Sequence, residues 1–129
     1  MRILTWNDFE VCVAEITKAC TKSRLCGVYG FPRGGLCLAV ALSHSLHIPL
    51  LEEPRANSLV VDDIYETGFT LNKIIELNDI TAFVWISKVT PDWWNAVETT
   101  ELDEWVVFPW ESKSFAEADQ IIYKSSRGL

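Results

Sequence analysis

Apolar residues in this chain recur with two periods, and the alternation between them predicts its elements. Phe9, Cys12, Val13, Ile16 and Cys20 fall at helical spacing behind Thr5-x-x-Asp8, a capping-box pattern with the shorter acid. This predicts a helix from about Trp6 to Thr21. Leu25 to Phe31 reads as a strand, followed by a glycine turn and a helix from Leu36 to Leu46. Ile48-Pro49-Leu50-Leu51 is a short strand candidate, and Leu59-Val60-Val61 opens a β-branched run of the kind buried in parallel sheets. Leu71, Ile74, Ile75 and Asn78 return to helical spacing, and Thr81 to Ser87 reads as the next buried strand. Asp92 to Glu104 is polar, tryptophan-bearing and irregular, and Glu104 to Trp110 holds a last short strand closed by Pro109. Phe115, Ala118, Ile121 and Ile122 share one face of a small terminal helix over Phe115 to Lys124, with the final Ser-Ser-Arg-Gly-Leu frayed. Strands alternating with helices imply an α/β fold on an open, mostly parallel sheet. At 129 residues, without repeat or linker, the chain reads as a single domain over 1–129.

The stretch that carries chemistry runs from Leu59 to Leu71. Asp62 and Asp63 stand where its strand should end, and Thr67-Gly68-Phe69-Thr70 makes a turn into the next helix. Open α/β sheets bind ligands outside the carboxyl ends of their strands. Backbone N–H groups from Thr67 to Thr70 would form an anion site at a helix N-terminus, with Gly68 allowing close approach and two threonine hydroxyls adding donors. Two carboxylates beside such a cradle suit Mg2+ and sugar hydroxyls rather than the phosphate itself. The combined requirement is a small phosphorylated sugar with a metal. Gly30-Phe31-Pro32-Arg33-Gly34-Gly35 repeats the strand–glycine turn–helix pattern, and its arginine suits a second anionic group. It fits neither the dinucleotide G-x-G-x-x-G pattern nor a Walker A loop.

Composition narrows the classes further. The formal net charge of −7 lacks the basic footprint that nucleic acid requires, and it repels a polyanionic ligand, so binding rests on local donors and a divalent cation. No apolar run reaches the length of a membrane span and the N-terminus is no signal peptide, which predicts a cytoplasmic protein. Cys12, Cys20, Cys26 and Cys37 have no C-x-x-C spacing and read as reduced, buried, small hydrophobes. His44 and His47 read as helix-end, solvated residues. Six tryptophans fit a core, a stacking site or a subunit interface.

Leu59 to Thr70 resembles the phosphoribosyl-diphosphate (PRPP) signature of the type I phosphoribosyltransferases: two hydrophobics, two acids, a hydrophobic, two variable positions, Thr-Gly and a Thr. Glu66 departs from it where an Asp is common. Arg33-Gly34-Gly35 is the form seen in xanthine-guanine phosphoribosyltransferases, which Leu4-Thr5-Trp6-Asn7, Trp85-Ile86-Ser87-Lys88 and Glu104 to Trp110 also resemble. The resemblance implies a type I phosphoribosyltransferase-like open, mostly parallel twisted sheet with flanking helices and a small C-terminal hood. It implies Mg2+-dependent transfer of ribose 5-phosphate from PRPP to a 6-oxopurine base, giving a nucleoside monophosphate and pyrophosphate. By the same resemblance Thr67, Gly68, Phe69 and Thr70 hold the 5-phosphate, and Asp62 and Asp63 hold ribose hydroxyls and the metal. Arg33, Gly34 and Gly35 hold pyrophosphate, and Glu66 accepts from the purine. Lys88 donates to the exocyclic oxygen, Trp105 stacks on the base, and the Val106 main chain meets its far edge. One of the Phe31–Pro32 and Pro32–Arg33 bonds is expected to be cis. Relatives of this kind are commonly homo-oligomers, dimers or tetramers.

The family's long mobile loop, which closes over the site, has no room between Leu46 and Asn57, where Arg55 could partly substitute as a donor. That shortening, with Glu66, motivates an alternative: a non-catalytic PRPP- or nucleotide-binding regulator on the same fold. A phosphorelay receiver also combines an acidic pair, a Thr and a Lys, but its acids follow the first strand, whereas at least two strands precede or include the acids here.

Overall fold

The computed structural model describes residues 1–77 and 79–126, and the chain parts into two compact units. The smaller unit comprises 1–10 and 103–129. Its strands β1 (Arg2–Ile3) and β6 (Val106–Val107) pair in parallel, with Arg2 opposite Val106. Helix α1 (Trp6–Cys20) begins here behind the expected capping box, Thr5 N–H donating to Asp8 and Asp8 N–H to Thr5 at 2.8 and 3.1 Å. Trp6, Phe9, Phe108 and Trp110 form an aromatic cluster, in which Phe108 and Trp110 stack at 5.2 Å. Helix α3 (Lys113–Ser126) is longer than its pattern predicts, and Phe115, Ile121 and Ile122 stand exposed on it. Of the segment expected to fray, Ser125 and Ser126 are helical and 127–129 lie outside the described residues.

The larger unit, Val11–Leu102, is a four-stranded parallel sheet in the order β2-β3-β4-β5, with β2 (Val28–Gly30), β3 (Leu59–Tyr65), β4 (Thr81–Ser87) and β5 (Asn95–Thr99). Helix α2 (Leu36–Leu46) spans the range its sequence predicts and buries Leu38, Ala39 and Leu42. Trp85, Leu59, Val61 and Val84 are wholly buried, as the near-continuous apolar runs of a two-sided parallel sheet require.

Several expected elements need correction, among them the strand read over Glu104 to Trp110, which is β6 at Val106–Val107 alone. The strand read over 25–31 is ordered as β2 only from Val28 to Gly30, and the candidate at 48–51 shrinks to a single bridge between Val28 and Leu50. The segment read as irregular contains β5, whose connection to β4 is residues 88–94 alone. Because Phe83 pairs with Asn95, that connection runs back only about two-thirds the length of β4, within the reach of seven extended residues at about 3.3–3.6 Å each. The helix expected from Leu71 is one turn of 3-10 helix, Leu71–Ile74. Side chains at i and i+3 eclipse in that geometry, so Leu71 and Ile74 both reach the core at 2 % and 4 % exposure, while Ile75 is left at 53 %. Asn78 lies outside the described residues.

The cysteines are free, but Cys26 is exposed rather than buried and Cys37 is only partly covered. His44 and His47 are exposed near the end of α2, where His47 is the left-handed cap. No helix among the described residues is long and apolar enough to cross a membrane.

Candidate functional site

Strand β3 continues through its acids instead of ending before them. Asp62 lies within the sheet, opposite Val84 and only 8 % exposed, and its Oδ1 accepts the Asp63 N–H at 2.9 Å. Burial first, and the neighbouring Asp63 charge second, push the Asp62 carboxyl up to about 8. Burial also raises Asp63. Two acids are therefore held side by side where their ionised forms are costly, and a cation would relieve that cost.

Beyond β3 the chain turns through Thr67, Gly68, Phe69 and Thr70. Gly68 has φ +79°, and a Cβ there would run into the Tyr65 hydroxyl and come within 2.7 Å of the Asn72 amide. Glycine is required by both backbone and space. Tyr65 is itself fixed, stacked on Trp94 at 3.7 Å and 14°, and the Trp94 Nε1–H donates to Ser87 Oγ at 3.2 Å. The turn thus rests on a rigid aromatic floor with Leu71, Ile74 and Val84. The Phe69 N–H turns to Thr67 Oγ1 at 3.4 Å, whereas those of Gly68 and Thr70 donate to no group among the described residues. Phe69 projects outward, 76 % exposed, with the Lys73 ammonium 4.7 Å from its ring centroid.

The second turn, at Pro32–Gly35, leads into α2 from the end of β2. Its Pro32–Arg33 peptide is cis, one of the two bonds singled out above. Gly35 does not offer its N–H to a ligand as expected: that N–H donates to the Phe31 carbonyl at 2.7 Å and closes the turn. The absent side chain of Gly35 instead lets the turn pack on β3, since a Cβ would sit 2.6 Å from the Val61 carbonyl oxygen. A Cβ on Gly34 would collide with the Asp63 carboxylate, so the glycine brings this turn directly against the acids. Arg33 is exposed at the tip.

One cavity of about 370 Å³ joins these parts. It is lined by Pro32 and Gly34 from the first turn and by the continuous run from Asp62 to Leu71. Arg33, Gly35 and Arg55 are not among its lining residues. Neither is Lys88, which sits just past β4 with its ammonium 3.8 Å from Glu66 Oε1 and 3.2 Å from the Leu102 carbonyl oxygen. Trp105 and Val106 belong to the smaller unit, where the Arg2 N–H donates to the Trp105 carbonyl at 2.8 Å and the Trp105 ring meets Tyr123 at 5.1 Å. Sequence reasoning missed Tyr65 and Trp94 as supports of the turn. The signal was present in the aromatic at the end of the motif strand, but its partner lies 29 positions on, in a segment without periodicity.

No group of three or more metal-ligating side chains is present among the described residues. Asp62 and Asp63 nevertheless fit Mg2+, which usually takes one or two carboxylates and completes its shell with water and substrate phosphates.

No family model matches the chain, nor does any curated protein sequence at a significant level. Solved structures do. A purine phosphoribosyltransferase from Pyrococcus horikoshii is 26% identical with a TM-score of 0.72, the match covering 86% of this chain and 93% of that one. The xanthine-guanine-hypoxanthine phosphoribosyltransferase of Helicobacter pylori is 16% identical with a TM-score of 0.67, over 92% and 98% of the two chains. A hypothetical protein from Neisseria gonorrhoeae with bound ppGpp is 17% identical with a TM-score of 0.62, over 96% and 97%. Orotate and adenine phosphoribosyltransferases match as well. With a parallel sheet, flanking helices and nearly full-length correspondence, the chain has the fold of the type I phosphoribosyltransferases, an enzyme class.

Proposed function

We propose that residues 1–129 act as one phosphoribosyltransferase domain that transfers ribose 5-phosphate from PRPP to a 6-oxopurine base, with Mg2+. The observation that carries this reading is a cavity shared by both glycine turns, with the acidic pair among its lining residues. Such a cavity suits a ligand with a phosphate at one end, a diphosphate at the other and sugar hydroxyls in the middle.

In the transfer, the C1–O bond to pyrophosphate breaks and a C1–N bond to the base forms through a sugar with oxocarbenium character. The protein's work is orientation and charge stabilisation. The N–H groups of Gly68 and Thr70, with the Thr67 and Thr70 hydroxyls, hold the 5-phosphate, and Phe69 screens the turn. Asp62 and Asp63 orient the ribose hydroxyls. The same two acids would hold Mg2+, which would supply positive charge against the diphosphate. Arg33 and the Gly34 N–H receive the leaving pyrophosphate, while Gly35 keeps that turn closed. Glu66, which lines the cavity and retains 26 % side-chain exposure, takes the proton of the base nitrogen. The resemblance assigns Lys88 to the exocyclic oxygen of the base, and Trp105 and Val106, in the smaller unit, to its ring and far edge. The test is a pyrophosphate-release assay with guanine, xanthine, hypoxanthine, adenine and orotate, with and without Mg2+. Release with a 6-oxopurine and Mg2+ supports the reading; release only with adenine or orotate reassigns the base.

A second reading is a non-catalytic nucleotide or PRPP regulator. The ppGpp-bound Neisseria structure of the same fold favours it, as does the short connection between α2 and β3. Thermal stabilisation by PRPP or ppGpp without turnover of any base would select it, and turnover would exclude it.

A further inference from the structure

Lys88 is a buried cation held by the chain around Glu66. Its side chain keeps 2 % of its surface, against 26 % for Glu66. The ammonium donates to the Leu102 carbonyl oxygen at 3.2 Å and lies 3.8 Å from Glu66 Oε1. The Lys88 N–H also donates to the Tyr65 carbonyl at 2.8 Å, clamping the residue that precedes Glu66. Main chain and side chain therefore tie the two residues together. A buried ammonium is tolerated only with an opposite charge and satisfied donors, so this arrangement restricts where the Glu66 carboxylate can go. Glu66 lines the cavity and Lys88 does not.

We propose that Lys88 is a positioning residue: braced on the Leu102 carbonyl, its ammonium holds the Glu66 carboxylate aimed into the cavity, and contact with the base falls to Glu66. This rests on the transfer reading above, and it gives Lys88 a different role from the direct donor to an exocyclic oxygen. Lys88→Met keeps a long, apolar side chain in the buried slot while removing the charge, and Lys88→Arg restores it.

Steady-state kinetics with a 6-oxopurine separate the two roles. Lys88→Met lowers kcat roughly ten- to a hundredfold with the KM for the base nearly unchanged, as misaiming a reacting group does. Lys88→Arg recovers most of the loss, and Lys88→Met adds nothing to Glu66→Gln in the double variant. A loss confined to the KM for the base, or losses that multiply in the double variant, would overturn the proposal. Thermal unfolding tests it without turnover. Glu66→Gln removes the carboxylate charge beside the buried ammonium and lowers Tm, and adding Lys88→Met restores it. If Glu66→Gln leaves Tm unmoved, or the double variant stays low, the positioning role fails. If that Tm pattern holds and no base is turned over by the unaltered protein, only the transfer reading fails.

Discussion

The two glycine turns begin alike, each leaving the end of a parallel strand, yet they are stabilised in opposite ways. The Pro32–Gly35 turn closes on itself through the Gly35 N–H and continues into eleven residues of α2, whose Leu38, Ala39 and Leu42 are buried. The Thr67–Thr70 turn continues into four residues of 3-10 helix, too few to add much dipole or rigidity. It is held from below, by Tyr65 stacked on Trp94 and by the small cluster around Leu71 and Ile74. One cradle is braced by secondary structure and the other by tertiary packing. A ligand gripping both would couple them, and mutations should uncouple them.

Removing the aromatic floor should give the largest effect. Trp94→Ala deletes a buried ring and its hydrogen bond to Ser87, a change that costs about 3–5 kcal/mol in a packed core. Hydrogen exchange should quicken most across 65–74 and least across α2. Equal loss at both turns would show that they share one support, and the contrast drawn above would be wrong.

The acids between the turns come next. Asp62 binds its proton more tightly folded than unfolded, at about 8 against an ordinary value of 3.8. The stability this confers on the metal-free protein is complete below about pH 4 and is lost as the pH rises through about 8, roughly a few kcal/mol in all. Thermal melts across that window should show Tm falling as pH rises, with the slope flattened in Asp62→Asn. Mg2+ with PRPP should raise Tm most at the upper end, where the carboxylates are ionised. A Tm that rises with pH in metal-free buffer would contradict the burial of Asp62.

Much of this was legible in the sequence because it depends on short-range rules. The ranges of α2 and β4 follow from apolar periodicity, and the cap of α1 from Thr5 and Asp8. The pairing of the two turns on one cavity follows from their common place at the ends of parallel strands. What was not legible depends on partners distant in the chain. β1 and β5 are short strands whose identity comes from β6 and β4, and Asn95–Thr99 carries no periodicity of its own. The acids looked terminal because charged residues rarely continue a buried strand, and only the neighbouring strand extends β3 to Tyr65. Gly35 looked like a second donor to the ligand, but the Phe31 carbonyl already takes its N–H.

Gly34→Ala probes the helix-braced turn. Its Cβ would meet the Asp63 carboxylate, so either that side chain swings aside or the turn gives way. Either movement disturbs the contact between turn and acids, at up to the about 1–3 kcal/mol typical of overpacking. The loss should fall on PRPP or pyrophosphate binding more than on inorganic phosphate binding, since the Thr67 turn is untouched. Equal weakening of both ligands would place the two anion sites closer together than the two-ended grip allows.

Gly68→Ala is the matching change at the packed turn. The left-handed backbone at φ +79° costs a side-chain-bearing residue about 1–2 kcal/mol. The new Cβ also meets the Tyr65 hydroxyl, which cannot swing aside while its ring lies on Trp94. The turn rather than the aromatic floor should therefore yield, and inorganic phosphate binding should weaken while pyrophosphate binding at the other end is retained. Gly68→Asn, which tolerates the left-handed region better, separates the two contributions. If Asn is as damaging as Ala, the crowding against Tyr65 dominates; if Asn is nearly neutral, backbone conformation does. A phosphate affinity unmoved by either substitution would show that the Thr67 turn is no anion cradle, and the two-ended grip would lose one of its ends.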